Sequence, residues 1–169
     1  MYSQKLTVTF LLLLILSGCS SNKKDDQSKP YSINPQNDTI FCFIKQIQKN
    51  GNMYEVELDR IDFLHAEEAQ KAMIEDGLLE PGEWPLNDYY IRNKEHLIEK
   101  FRFDESVLIL MQTYSFNEET EEFNWNQKIS IDELINILTR TDGVNYINHP
   151  FNLIVNEDKI IQIKEQYIP

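Results

Sequence analysis

Tyr54, Val56 and Leu58 alternate with Glu55, Glu57 and Asp59. A period of two is that of a strand buried on one face, and it predicts a strand over 53–64. The preceding run, TIFCFIKQI, is apolar on both faces and predicts a strand over 39–48, central in its sheet or covered on its outer side by a helix. Asn50-Gly51 between them is a strong hairpin signal. Ala69, Ala72 and Met73 then space a modest helical stripe over 66–76. Gly77 sits where a left-handed cap belongs and Leu78 can fold back on Met73. A short strand is expected at 89–92 and two more at 98–103 and 106–114.

Ser130 and Glu133 form an S-x-x-E capping box, with Ile129 and Leu134 placed as a hydrophobic staple. Ile131, Leu134, Ile135 and Leu138 follow the helical period, so a helix is expected over 131–140, ending near Asp142-Gly143. Phe151, Leu153 and Val155 alternate, and Ile161 and Ile163 resume the pattern after a turn at 156–159, a C-terminal hairpin. The order β-β-α-β-β-β-α-β-β carries no βαβ repeat. It predicts an α+β domain, a mainly antiparallel curled sheet or small open barrel with two packed helices.

The N-terminus has a different pattern. Lys5 precedes an apolar run, and Leu6 to Leu16 is eleven residues, about 16 Å as a helix. A membrane span needs roughly 20 apolar residues, so the run reads as an export signal instead. It ends in Leu16-Ser17-Gly18-Cys19, which resembles the lipobox of bacterial lipoproteins. That resemblance implies cleavage after Gly18 and diacylglycerol on the Cys19 thiol. It also implies a domain held at the cell membrane by acyl chains, on the extracytoplasmic side. Two or three chains anchor stably where one binds reversibly. Residues 1–18 are thus expected to be a signal peptide. Residues 19–37 are the lipidated cysteine and a polar, Pro-containing tether, and residues 38–169 form one globular domain.

Charge narrows the partners. With 28 acidic and 16 basic residues the formal charge is -12, which excludes a phosphate-binding nucleic-acid partner. Of two cysteines, Cys19 is assigned to lipid, so Cys42 is expected to be a buried thiol acting as a small hydrophobe.

The chain has no G-x-S-x-G elbow, H-E-x-x-H, phosphate-loop glycines, C-x-x-C or calcium-loop spacing. Asp59, Asp62 and His65 recur every three residues, but i and i+3 of a strand point to opposite faces. They read as boundary residues, with Asp62 offering an acceptor to the following helix, and neither metal nor cofactor is expected. Asp62, His65 and His149 are the weak catalytic candidates, for a hydrolase whose histidine–carboxylate or metal site is assembled by the fold. The densest group of ambivalent side chains is Trp84, Tyr89, Tyr90 and Arg92, a candidate binding surface, since aromatics and arginine anchor interfaces. Phe123 and Trp125, beside Glu118, Glu119, Glu121 and Glu122, suit a ligand platform or a hydrophobic seal.

Asn50-Gly51, the acidic helix Glu67–Gly77, the N-D-Y-Y-I-x-N stretch at 87–93 and the EQYIP end together resemble uncharacterised exported proteins of bacilli and their relatives. That resemblance implies no activity. The leading expectation is a lipid-anchored binding or accessory domain whose partner is an envelope protein, a peptide or a cell-wall component. The alternatives are the small envelope hydrolase and a structural component that self-associates through a sheet edge.

Overall fold

The computed structural model describes residues 37–141 and 145–168. The signal, Cys19 and the tether through residue 36 lie outside them, as do Asp142-Gly143 and Pro169. Twelve short or long elements are ordered as β1 (Asn37–Asn50), β2 (Met53–His65), α1 (Ala66–Glu75), β3 (Tyr89–Arg92), β4 (Ile98–Met111), β5 (Phe116–Asn117), β6 (Glu122–Phe123), β7 (Gln127–Ile129), α2 (Ile131–Thr139), a 3-10 turn at Tyr146–Asn148, β8 (Pro150–Asn156) and β9 (Lys159–Glu165).

Strands β1, β2, β4, β9 and β8 close on themselves into a five-stranded barrel. The main sheet runs β3-β2-β1-β8-β9-β4-β7, and an added β2–β4 pairing joins its two halves. Only β4 and β9 are parallel; the other pairs are antiparallel. β8 returns by a long connection to lie beside β1, which gives a Greek key. The fold is α+β, and the barrel is closed where the sequence pattern allowed an open one.

β1 serves two neighbours. Asn37–Phe43 pair with β8 and Phe41–Asn50 with β2, with a register shift between Ile44 and Gln46 in the second pairing. Ile40, Cys42 and Ile44 point into the core. On the outer face Phe41 stacks on Phe63 at 5.3 Å, which explains the two-sided apolar run. Burial pushes the Cys42 thiol far above its ordinary value, so it stays a neutral core side chain.

The barrel interior takes Val56 and Leu58 from β2, Ile109 and Met111 from β4, and Phe151, Leu153, Ile160 and Ile163 from the C-terminal hairpin. α2 adds Leu134 and Ile137 to this core. Ile135, expected on its buried stripe, is only half-buried, because the helix docks one position round from the simple pattern. The capping box forms in full: Glu133 N–H donates to Ser130 Oγ at 3.2 Å, and Ser130 N–H donates to Glu133 Oε2 at 2.7 Å. Ser130→Ala is expected to cost about 1 kcal/mol, read as a lowered urea midpoint with unchanged slope.

α1 closes as predicted. Leu78 N–H bonds Met73 O, Gly77 N–H bonds Ile74 O, and Gly77 adopts φ 71°, a left-handed ending. The helix starts at Ala66 as expected, with His65 as N-cap but no side-chain cap bond. Asp62 does not cap it: it lies inside β2, opposite Arg92. Two further corrections concern strands. The segment 98–114 is one strand to Met111, because Asp104-Glu105-Ser106 bulges without turning the chain: the β4–β9 register shifts there, and Asp104 Oδ1 accepts Ser106 N–H at 3.0 Å. In β9 the buried apolar residues are Ile160 and Ile163, not Ile161, since a register shift opposite Val155 resets the alternation.

Candidate binding groove

β2 is too long for the barrel. Its first half pairs with β4 at Glu55–Asp59, and its far end pairs with β3 at Asp62–His65. The far end therefore projects from the barrel with β3, and α1 packs on both through buried Ala69 and Ala72. Alanine leaves little side chain between backbones, so the helix lies close.

Where this extension leaves the barrel, an open groove of about 330 Å³ forms, with Arg60, Asp62, Arg92, Asn93, Lys94 and Leu97 on its walls. Its cations are committed. Arg60 forks onto both carboxylate oxygens of Glu99, Nε at 2.6 Å and Nη2 at 3.1 Å. Arg92 Nη2 reaches Asp76 Oδ1 at 2.7 Å and Glu75 at 3.2 Å. Lys94 also lies on Asp76 Oδ1, and Tyr90 OH donates to Asp76 Oδ2 at 3.1 Å. Asp76 caps the C-terminal end of α1, where the helix dipole disfavours a carboxylate. The Arg92 guanidinium first, then the Lys94 ammonium, offset this and hold the Asp76 carboxyl well below its usual range.

Asp59 holds one wall of the groove through Asn93. It is buried, accepts Asn93 Nδ2 at 2.9 Å and lies 3.5 Å from Lys45 Nζ and 3.8 Å from His96 Nδ1. The 93–97 loop is thereby tied to the barrel wall. Asp59 was read from sequence only as a strand-end residue. Its signal is that of a carboxylate on the covered face of a strand, and its partners come from distant sequence.

The four candidate binding residues do not share one surface. Tyr89 lies flat on Phe63, 5.5 Å and 5° apart, while Tyr90 and Arg92 point to the opposite face of β3 toward Asp76. Trp84 stands in the 79–88 loop, 59% exposed. Of the four, only Arg92 lines the groove.

The catalytic candidates are likewise dispersed. Asp62 lines the groove, His65 Nδ1 lies 3.1 Å from the Asp88 carbonyl, and His149 sits beside Glu165. Among the described residues no three acidic, histidine or cysteine side chains gather as metal ligands.

Glu165 is the residue that sequence reading missed. It is 1% exposed and faces inward from β9. Gln112 N–H donates to its Oε2 at 2.6 Å, Thr113 N–H donates to the same oxygen at 2.9 Å, and the Thr113 hydroxyl donates to Oε1. His149 Nε2 is 3.2 Å from Oε1 but makes no aligned hydrogen bond. The Tyr146 hydroxyl extends the network to Thr113. The signal was present in the alternation itself: Ile163 and Glu165 share a face, and one of them is charged.

No family model, curated protein or solved structure matches this chain. The groove and the network stand on their own geometry.

Proposed function

We propose that this protein is a lipid-anchored, extracytoplasmic binding or accessory module that is not a catalyst. The observation that carries the reading is Leu16-Ser17-Gly18-Cys19 behind a short basic and apolar leader, eighteen positions ahead of Asn37. Asn37 already pairs with Asn156 in the barrel. Eighteen residues of extended chain reach at most about 60 Å, and a flexible coil of that length about 25 Å. The tether in this reading holds the domain off the bilayer without fixing its orientation.

The barrel's strand order is, in our reading, that of the OB type. Such barrels take oligonucleotides and oligosaccharides across their second and third strands and the flanking hairpin loops. Here that face carries Glu55, Glu57, Lys100 and Arg102, with Asp158 beside it. Lys100 pairs with Glu57 at 2.9 Å and Arg102 with Asp158. Two paired cations among three acids do not attract a phosphate backbone, in keeping with the net charge.

Two observations weigh against the alternatives. The histidine–carboxylate contact at His149–Glu165 is shut off from solvent: Glu165 is 1% exposed and His149 Nε2 is buried. A general base must come within hydrogen-bond reach of the proton that it takes from substrate. The outer strands β3 and β7 are four and three residues long, and short edges discourage strand-to-strand association.

Intact-mass measurement of the native protein tests the reading. Loss of residues 1–18 with a gain of acyl mass at Cys19 is the expected result, and Cys19→Ala should leave an uncleaved, unacylated chain. A wild-type protein with a bare thiol and its leader attached sinks the proposal.

A further inference from the structure

Four aromatic rings form one connected row outside the domain, where β4 and β9 end. Phe116 and Phe123 meet across the β5–β6 pair at 5.4 Å. Phe123 meets Trp125 at 6.3 Å, and Trp125 meets Tyr167 edge-on at 5.0 Å. Phe116 is 52%, Trp125 50% and Tyr167 38% exposed. A contiguous apolar strip left in water on a folded domain is the mark of a contact surface.

The row is held rather than collapsed. Asn124 N–H donates to Ser115 O at 3.0 Å, and Asn124 Nδ2 donates to Ser115 Oγ at 2.8 Å. Gln112 Nε2 donates to Asn126 Oδ1 at 3.2 Å, tying the far side to β4. Glu121 and Asn126 take left-handed bends, at φ 54° and 55°. A surface ordered before contact loses less entropy on binding.

Glu118, Glu119, Glu121 and Glu122 border the row, all exposed. Among the described residues none of these four pairs with a cation. In the groove, by contrast, Arg60, Arg92 and Lys94 are each paired with an acid. Aromatic faces attract cations, and unpaired carboxylates attract them too.

We propose that the row and its glutamates form a docking surface for a cationic, amphipathic polypeptide segment. Its Lys and Arg side chains lie over Trp125 and the neighbouring rings while their charges meet the four carboxylates. A neutral glycan would leave the carboxylates unused. Insertion into an anionic bilayer would press them against like charge. The row lies at the opposite end of β9 from Asn37, about 20 Å along that strand. The combination of rings and acids does not rest on the lipid-anchored reading.

The test is fluorescence anisotropy of a fluorescein-labelled peptide alternating lysine with leucine and phenylalanine, titrated with the full chain. Saturable binding weakened by salt is expected. Trp125→Ala and the combined Glu→Gln change at 118, 119, 121 and 122 should each lower affinity about tenfold or more. All these side chains but the half-buried Phe123 are exposed, so thermal midpoints should barely move. Absence of binding, equal binding by both variants, or equal binding of a peptide with glutamate in place of lysine overturns the proposal. So does a blue shift of Trp125 emission, read in a Trp84→Phe, Cys19→Ala full chain, on phosphatidylglycerol vesicles. Acylation of Cys19 is read separately by mass, so failure of either reading leaves the other standing.

Discussion

Replacing Glu165 by alanine is expected to cost about 3–5 kcal/mol and to lower the thermal midpoint by roughly 10 °C or more. The cost comes from the donors left behind. Gln112 N–H, Thr113 N–H and the Thr113 hydroxyl all aim at this one buried carboxylate. Removing the acceptor leaves each facing a small apolar void, and an unmet buried donor costs about 1–3 kcal/mol. Glu165→Gln keeps the volume and one acceptor oxygen but turns an amide donor toward other donors, so it should fall between alanine and wild type. Urea unfolding of the three chains measures the order. A loss below about 1 kcal/mol for alanine would mean that water replaces the carboxylate without difficulty.

The same residue gives the protein an acid-sensitive element. Burial alone pushes the Glu165 carboxyl upward; the His149 imidazole, the Thr113 hydroxyl and the backbone N–H groups of Thr113 and Gln112 together outweigh it and hold the group below its ordinary 4.5. The fold thus prefers the ionised form. Its contribution is complete above the unfolded-state value and disappears as pH falls through the lower folded value. As pH falls below the carboxyl's ordinary 4.5, wild type should lose stability that Glu165→Gln keeps, because the amide has no proton to take up. Parallel pH dependences for the two chains would remove Glu165 from the explanation of acid lability.

What could be read in the sequence was local. The Ser130–Glu133 capping box, the Gly77 ending of α1, the Asn50-Gly51 hairpin and the alternation at Tyr54–Leu58 each depend on residues a few positions apart. Such signals survive whatever the rest of the chain does. Barrel closure does not work that way. β4 meets β2 and β9 across long separations, and no property of Ile98–Met111 announces two partners. Asp104-Glu105-Ser106 misled because a polar triplet suits a turn and a bulge equally; the pairing of Phe103 with Ile160 and Leu108 with Gln162 on either side selects the bulge. At the groove, Arg92 was legible as an anchor, but its commitment to Asp76 was not, because the partner belongs to another element. Tyr89 and Tyr90 looked like one patch until strand alternation sent them to opposite faces. Asp59 and Glu165 were hidden for the same reason: a carboxylate in a strand looks solvated unless its distant donors are known.

Phe151 is where the second large effect is expected. Its side chain is fully buried, and the register sets it between Cys42 on β1 and Glu165 on β9. Its ring meets that of His149 at 6.4 Å, and His149 in turn meets Tyr146 at 5.6 Å. The aromatic side chain thus separates the apolar barrel from the polar network around Glu165. Phe151→Ala should cost about 3–5 kcal/mol, through lost transfer energy and the cavity that remains. Phe151→Leu fills most of the space and should cost less than about half of that. The cavity would also open a route for water toward the Glu165 donors, so the Phe151 and Glu165 changes should not be additive. In a double-mutant cycle, Phe151→Ala with Glu165→Gln is expected to show a coupling of about 0.5–3 kcal/mol. Strict additivity, or alanine and leucine variants of equal stability, would show that the ring does not seal the network and that the barrel core and the carboxylate are held independently.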